Sequence, residues 1–160
     1  MQRAVRSAPY PTEWGPGWVC WDPTGIVHID LPGAVRPAAD NHTIPPEVSA
    51  LCASLEAYFA GIGELPAAPG LVARAGTTPW RAAVYRIVSA IVTGTTMTYT
   101  EVAAAAARPG AARAVGAAMA ANPFAPVIPC HRVVGSDGSL RGYRGGVAMK
   151  QRLLAMEGSP

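Results

Sequence analysis

Residues 100–123 read TEVAAAAARPGAARAVGAAMAANP. Two alanine-rich runs, 100–107 and 111–121, flank Arg108-Pro109-Gly110, and a proline there breaks the first helix before the second begins. The spacing predicts a helix-turn-helix, with Thr100 placed to cap its first helix. Twelve of the twenty residues from Val102 to Ala121 are alanine, and Ala112, Gly116 and Ala120 recur every four positions on one side of the second helix. Val115 and Met119 fall on the opposite side, toward a core. A face without long side chains lets another surface approach closely, either a neighbouring helix or an outside partner. Arg113, a long cation one position from that face, favours the partner.

Working upstream, Ala83, Val84, Ile87, Val88 and Ile91 recur at three and four, which predicts a core helix starting at Thr78-Pro79. Residues 15–31, GPGWVCWDPTGIVHIDL, predict two strands, 18–21 and 26–31, joined by an Asp22-Pro23-Thr24-Gly25 turn. Residues 33–46 read as a loop. Residues 47–60 predict a helix whose apolar positions are Val48, Leu51, Leu55, Tyr58 and Phe59, stopped by Gly61. Residues 61–78 read as a linker rich in Pro and Gly. The expected fold is mixed α/β, of the α+β kind. A hairpin-and-helix lobe with its linker spans 1–78, and a mainly helical lobe, carrying the helix-turn-helix and a cysteine-bearing strand or loop, spans 79–160.

The chain has 160 residues, half of them hydrophobic and 14% charged, with mean hydropathy +0.20, enough apolar matter for a packed core. Arginines interrupt every apolar region of the second half, so no membrane span is expected. Arg3 and Arg6 are followed by Pro9, Pro11, Glu13 and Trp14 where an export signal places apolar residues, and a cytoplasmic protein is expected, nucleoid-associated if it binds DNA. The net charge of +3 conceals an asymmetry. Residues 1–78 carry four basic and seven acidic side chains, whereas residues 79–160 carry nine basic and three acidic ones. Twelve of the thirteen cations are arginine, the side chain suited to phosphate, so the second half fits a polyanion.

After the turn at Asn122-Pro123, residues 127–134 (VIPCHRVV) read as extended, because of Pro129 and its β-branched flanks. Gly135-Ser136-Asp137-Gly138 then turns the chain back. Three cysteines without a CxxC pair, Cys20, Cys52 and Cys130, argue against a disulfide framework and an all-cysteine metal site. A free thiol is only about 3% ionised at neutral pH, and the imidazole and guanidinium beside Cys130 are expected to lower its pKa. Cys130 is therefore the candidate nucleophile, while Cys20 and Cys52 read as buried small residues. A cysteine hydrolase would draw its histidine from a remote segment, and His28 and His42 sit in no motif. A zinc site on Cys20 and His28 lacks a spacing signature. No metal or cofactor is expected.

Pro129-Cys130-His131-Arg132-Val133 resembles the acceptor motif of the O6-alkylguanine-DNA alkyltransferase family. The resemblance extends in order through Tyr99, Ala112-Arg113-Ala114-Val115-Gly116, Asn122-Pro123, Gly142-Tyr143, Gly145-Gly146, Leu153-Leu154 and Glu157. Upstream, Tyr58-Phe59-Ala60-Gly61 and Thr78-Pro79-Trp80 are similar to family segments, and the likeness weakens before Glu47. It implies a monomeric two-lobed protein that binds the minor groove of double-stranded DNA, flips out O6-alkylguanine, with O4-alkylthymine a further candidate, and keeps the alkyl group on Cys130 in a single turnover. His131 would deprotonate Cys130 through a water, with Glu157 orienting His131. Tyr99 would donate a proton toward guanine N3 and crowd the 3′ phosphate. Arg113 would fill the gap in the base stack, Asn122 would hold the turn, and the Cys130 and Val133 carbonyls would take the guanine amine. Ala112, Gly116, Arg132, Tyr143 and Arg144 complete the expected DNA- and base-binding set. Alkyltransferase-like proteins, which bind the lesion without an acceptor cysteine, are the alternative, and Cys130 discriminates against it.

The chain departs from the family pattern at Trp80, where phenylalanine is common, at Val92-Thr93, where proline-tyrosine is frequent, and at Arg144, where small residues are frequent. These departures bear on substrate range more than on reaction type.

Overall fold

The structure, a computed structural model, describes residues 4–36 and 41–160. Arg3 and part of the loop expected over 33–46 lie outside the described residues. The fold is mixed α/β and divides into two compact units, 1–66 with 123–125, and 67–122 with 126–160.

In the first unit, β1 (Arg6–Tyr10), β2 (Gly17–Asp22) and β3 (Gly25–Asp30) form an antiparallel sheet in that order. The hairpin lies within a residue of its expected bounds, and its turn closes through Thr24 N–H donating to Asp22 Oδ1 at 2.7 Å. β1 is an addition: Pro9 and an alternation only five residues long concealed it, and proline is tolerated because β1 is an edge strand. Tyr10 is wholly buried and donates its hydroxyl to the Asp30 carbonyl at 2.7 Å. A Cβ at Gly17 would fall 2.0 Å from the Tyr10 ring, so only glycine fits there. α1 (Pro46–Phe59) covers β1 and β2 with the five apolar residues expected of it, and Phe59 packs on the Tyr10 and Trp14 rings.

The second unit begins with a correction. The expected linker contains α2 (Pro69–Ala75), a helix too short to show a period, held by Pro69 in its first turn and by burial of Val72 and Ala75. A Cβ on Gly76 would meet Ala82 Cβ at 2.6 Å, so α2 runs closely into α3 (Pro79–Ser89). Thr78 caps α3 by accepting from Arg81 N–H. Trp80 is more than an aromatic replacement, because its indole N–H donates to the Ala106 carbonyl at 3.2 Å and Arg108 lies over its ring at 5.2 Å.

The helix-turn-helix is α4 (Tyr99–Ala105) and α5 (Ala112–Ala120). The cap of α4 is Thr98, not Thr100: Thr98 Oγ1 accepts from Glu101 N–H at 3.1 Å, and Glu101 Oε2 accepts from Thr98 N–H at 2.7 Å. Ala107 takes the left-handed position that ends α4, at φ 57°, and Arg108 N–H reaches the Ala103 carbonyl. Short strands β4 (Met97–Thr98) and β5 (Val133–Val134) pair in parallel, and α6 (Val147–Met156) follows. No helix among the described residues is long and apolar enough to cross a membrane.

Candidate active site and nucleic-acid face

Cys130 does not lie in a strand. Residues Cys130–Arg132 form one 3-10 turn, with Val133 N–H closing on the Cys130 carbonyl, and the chain becomes extended only at β5. Pairing of β5 with β4 sets this turn beside the start of α4, where Tyr99 stands. The turn sends Cys130 one way and its two neighbours another. Cys130 opens onto a cleft of about 650 Å³, also lined by Tyr99, Ala112, Arg113, Gly116, Tyr143 and Arg144. His131 and Arg132 turn away, toward Glu157 at the end of α6.

His131 is fully buried, and its Nε2 lies 2.9 Å from Glu157 Oε1. Burial holds the imidazole pKa below its ordinary value, against the pull of Glu157 in the other direction, so the ring is neutral at pH 7. With Nε2–H donated to the carboxylate, Nδ1 is the nitrogen with a lone pair for a proton. Arg132 is corrected from the base-binding set, since its guanidinium is committed elsewhere. Nε and Nη2 grip Glu157 at 2.9 and 2.8 Å, Nη1 donates to the Ile91 carbonyl at 2.6 Å, and Nη2 reaches Thr93 Oγ1 at 3.0 Å. Thr93, one of the departures from the family pattern, thus helps hold the clamp. Glu157 itself is 1% exposed, so two cationic or donor groups compensate its buried charge.

The thiol contradicts the sequence expectation. Burial pushes the Cys130 pKa up, outweighing the neighbouring Asn122 side chain and Lys150 charge, which pull it down. The imidazole beside it is neutral and the adjacent guanidinium faces Glu157, so neither supplies the expected lowering. At rest the group is a thiol, and it needs a base at the moment of reaction. Cys20 is buried and Cys52 half-buried, each pushed up to about 11 by burial.

Asn122 is buried, and its Nδ2 donates to the Ile128 carbonyl at 2.8 Å, which fixes the turn between α5 and the Cys130 segment. Tyr99 is half-buried, its hydroxyl donates to the Arg141 carbonyl at 3.3 Å, and burial raises its pKa, so it stays a proton donor. Sequence reading missed Lys150. It is the chain's single lysine, 1% exposed on α6, and its Nζ donates to the Val133 carbonyl at 2.6 Å, with the Arg141 carbonyl at 3.4 Å and the Tyr99 oxygen at 3.5 Å. The Cys130 and Val133 carbonyls, assigned by resemblance to the guanine amine, thus each already accept one bond inside the chain and keep a second lone pair. Lys150→Met should remove the positive charge nearest the sulphur. Alkyl uptake at pH 7 should fall about tenfold and recover partly at higher pH, while the Val133 carbonyl, left without its Lys150 donor, lowers stability by about 1–3 kcal/mol. Rates of uptake against pH, together with thermal melting, check this.

The bare face of α5 belongs to the cleft. Ala112, Gly116 and Ala120 all line it, and a Cβ at Gly116 would meet only the Tyr99 ring edge, at 3.9 Å. Packing within the protein therefore does not require the bareness, which leaves the approach open to a partner. Arg113 stands exposed in the first turn of α5 at the same cleft. Among the described residues no group of three or more His, Cys, Asp and Glu could hold a metal ion.

Residues 79–159 match the family described as 6-O-methylguanine DNA methyltransferase, DNA binding domain. A methylated-DNA–protein-cysteine methyltransferase of Methanothermobacter thermautotrophicus is 39% identical over 140 residues, 88% of this chain and 78% of that one. The chain belongs to the O6-methylguanine-DNA methyltransferase family. A second family member, from Salmonella typhimurium, is 50% identical over 101 residues, 63% of this chain and 58% of its own length. The fold of the methyltransferase family is matched by the Mycobacterium tuberculosis protein OGT, solved in complex with DNA, at TM-score 0.70 and 31% identity over 96% of this chain and 92% of that one. In this family member Cys130 lines the cleft, with His131 and Glu157 paired behind it.

Proposed function

We propose that this chain repairs alkylated DNA by direct reversal, moving the alkyl group of O6-alkylguanine to Cys130. The observation that carries the reading is a buried thiol at the floor of an open cleft, backed by a neutral imidazole held by a clamped carboxylate. The thiol proton passes through a water to His131 Nδ1. The sulphur then attacks the alkyl carbon, a sulphur–carbon bond forms as the carbon–O6 bond breaks, and the bonding pair goes to the purine. The Tyr99 hydroxyl gives guanine N3 a proton. Glu157 steadies the imidazolium that results. The products are an S-alkyl cysteine and guanine, and a thioether has no easy hydrolysis route, so the protein acts once.

The partner is duplex DNA, entered from the minor groove by the bare face of α5, with Arg113 filling the stack behind a flipped base. Extruding a base costs a few kcal/mol in stacking, which a planar cation in the vacated place offsets. O4-alkylthymine in the same cleft, a monomeric state and a place in the cytoplasm belong to the same proposal. A lesion-binding protein without chemistry would leave the Cys130, His131 and Glu157 arrangement without use.

Incubation with a duplex containing one O6-methylguanine should add one methyl mass to the peptide holding Cys130, up to one equivalent per protein, as read by mass spectrometry. Turnover beyond one equivalent, or a label on Cys20 or Cys52, overturns the mechanism.

A further inference from the structure

The cleft has a charge pattern that methyl transfer does not use. Its fourteen lining residues include Arg113, Arg141 and Arg144 and no carboxylate. The buried acid of the site, Glu157, faces His131 and Arg132 instead. Arg141 meets the exposed Asp137 at 3.7 Å, and Arg113 is the residue that the proposed function assigns to the duplex. Arg144 differs in position. Its Nη1 donates to the Asn122 backbone carbonyl at 3.0 Å, while the Asn122 side chain hydrogen-bonds to the Cys130 sulphur. Asn122 alone therefore separates the guanidinium from the atom that receives the substituent, and Tyr143, Arg144's chain neighbour, lines the same cleft.

We infer that Arg144 makes this cleft select O6 substituents ending in an anion, such as carboxymethyl, over neutral substituents of the same size. The inference rests on the alkyl-transfer reading. As the carbon next to O6 passes to sulphur, the outer atoms of the substituent extend, on this inference, into the part of the cleft lined by Tyr143 and Arg144. A carboxylate there meets a planar guanidinium, whose fork matches it in shape as well as charge. The amide of the same shape can hydrogen-bond to that fork but brings no charge. The chemistry is unchanged: the sulphur gains the carbon, the carbon–O6 bond breaks, and guanine leaves with a proton.

Three duplexes, carrying O6-methylguanine, O6-carboxymethylguanine or O6-carbamoylmethylguanine at one position, separate the possibilities. Wild-type protein should take up the carboxymethyl group about five to ten times faster than the carbamoylmethyl group. Arg144→Gln, which keeps a donor for the Asn122 carbonyl but not the charge, should bring that ratio to about one, and Arg144→Lys should keep part of it. A general loss of DNA affinity slows all three duplexes alike and cancels in the ratio. Equal rates in wild type, or a preference that survives in Arg144→Gln, overturns the role of Arg144. Failure of wild type to take up even methyl overturns the alkyl-transfer reading, and this inference with it.

Discussion

Cys130→Ser should bind a lesion-bearing duplex but gain no alkyl mass, a loss of at least about 10⁴-fold in transfer, the scale on which removal of a catalytic nucleophile falls. The serine oxygen occupies nearly the same volume and keeps the Asn122 side chain as its neighbour, so the fold should lose only about 1–2 kcal/mol. A neutral imidazole that can draw a proton from a thiol leaves a hydroxyl almost wholly unionised, and a hard oxygen attacks an alkyl carbon poorly. Intact-protein mass and gel mobility, measured on one sample, separate chemistry from binding. Any alkyl gain by the serine variant, at whatever residue, would remove Cys130 from its role.

Glu157→Ala should be damaging in two separate ways. Transfer should slow by roughly 10²-fold, because His131 loses the acceptor that fixes its ring and tautomer, and general-base assistance is worth at least that much. Stability should fall by about 3 kcal/mol, near the lower end for breaking a buried pair, because Arg132 is 12% exposed and keeps the Ile91 carbonyl and Thr93 as partners. For a chain of this size that is a drop in Tm of roughly 6–12 °C. The pH dependence has a definite sign. The His131 pKa is depressed in the fold, so as pH falls below about 6.5 the unfolded chain binds a proton that the folded one refuses, and stability declines until the folded pKa is reached. Glu157 pulls that pKa upward, so its removal should extend the decline to lower pH. Glu157→Gln retains an acceptor for Nε2–H and should restore part of the rate without restoring the pH profile. Melting temperatures between pH 5 and pH 8 for both variants check each part.

Local periodicity made the helix-turn-helix, the hairpin and the five buried positions of α1 legible in the sequence, because each either repeats over several turns or ends on a turn with its own chemistry. What escaped is shorter or longer in range. The 3-10 turn at Cys130–Arg132 has no period to read, and Pro129 with its β-branched neighbours points to an extended chain. Thr98 and Thr100 are both capping residues by type; Glu101, three positions after Thr98, was the signal that distinguishes them. Adjacency in sequence suggested that His131 and Arg132 act directly on the sulphur, whereas the turn points them at Glu157, 26 and 25 residues further on, and burial then reverses the expected shift of the thiol. Lys150 could not be recognised as part of the site before its distances to Val133 and Tyr99 were known; its being the lone lysine among twelve arginines was the only advance sign.

The separation between the acceptor turn and Glu157 has a consequence for the newborn polypeptide. Synthesis delivers Cys130, His131 and Arg132 well before the carboxylate that organises them. While those later residues are still within the ribosome the imidazole has no anchor, and the sulphur is no better a nucleophile than any ordinary thiol. A molecule that can spend its sulphur once therefore acquires a reactive one only when translation has passed Glu157 and α6 has docked.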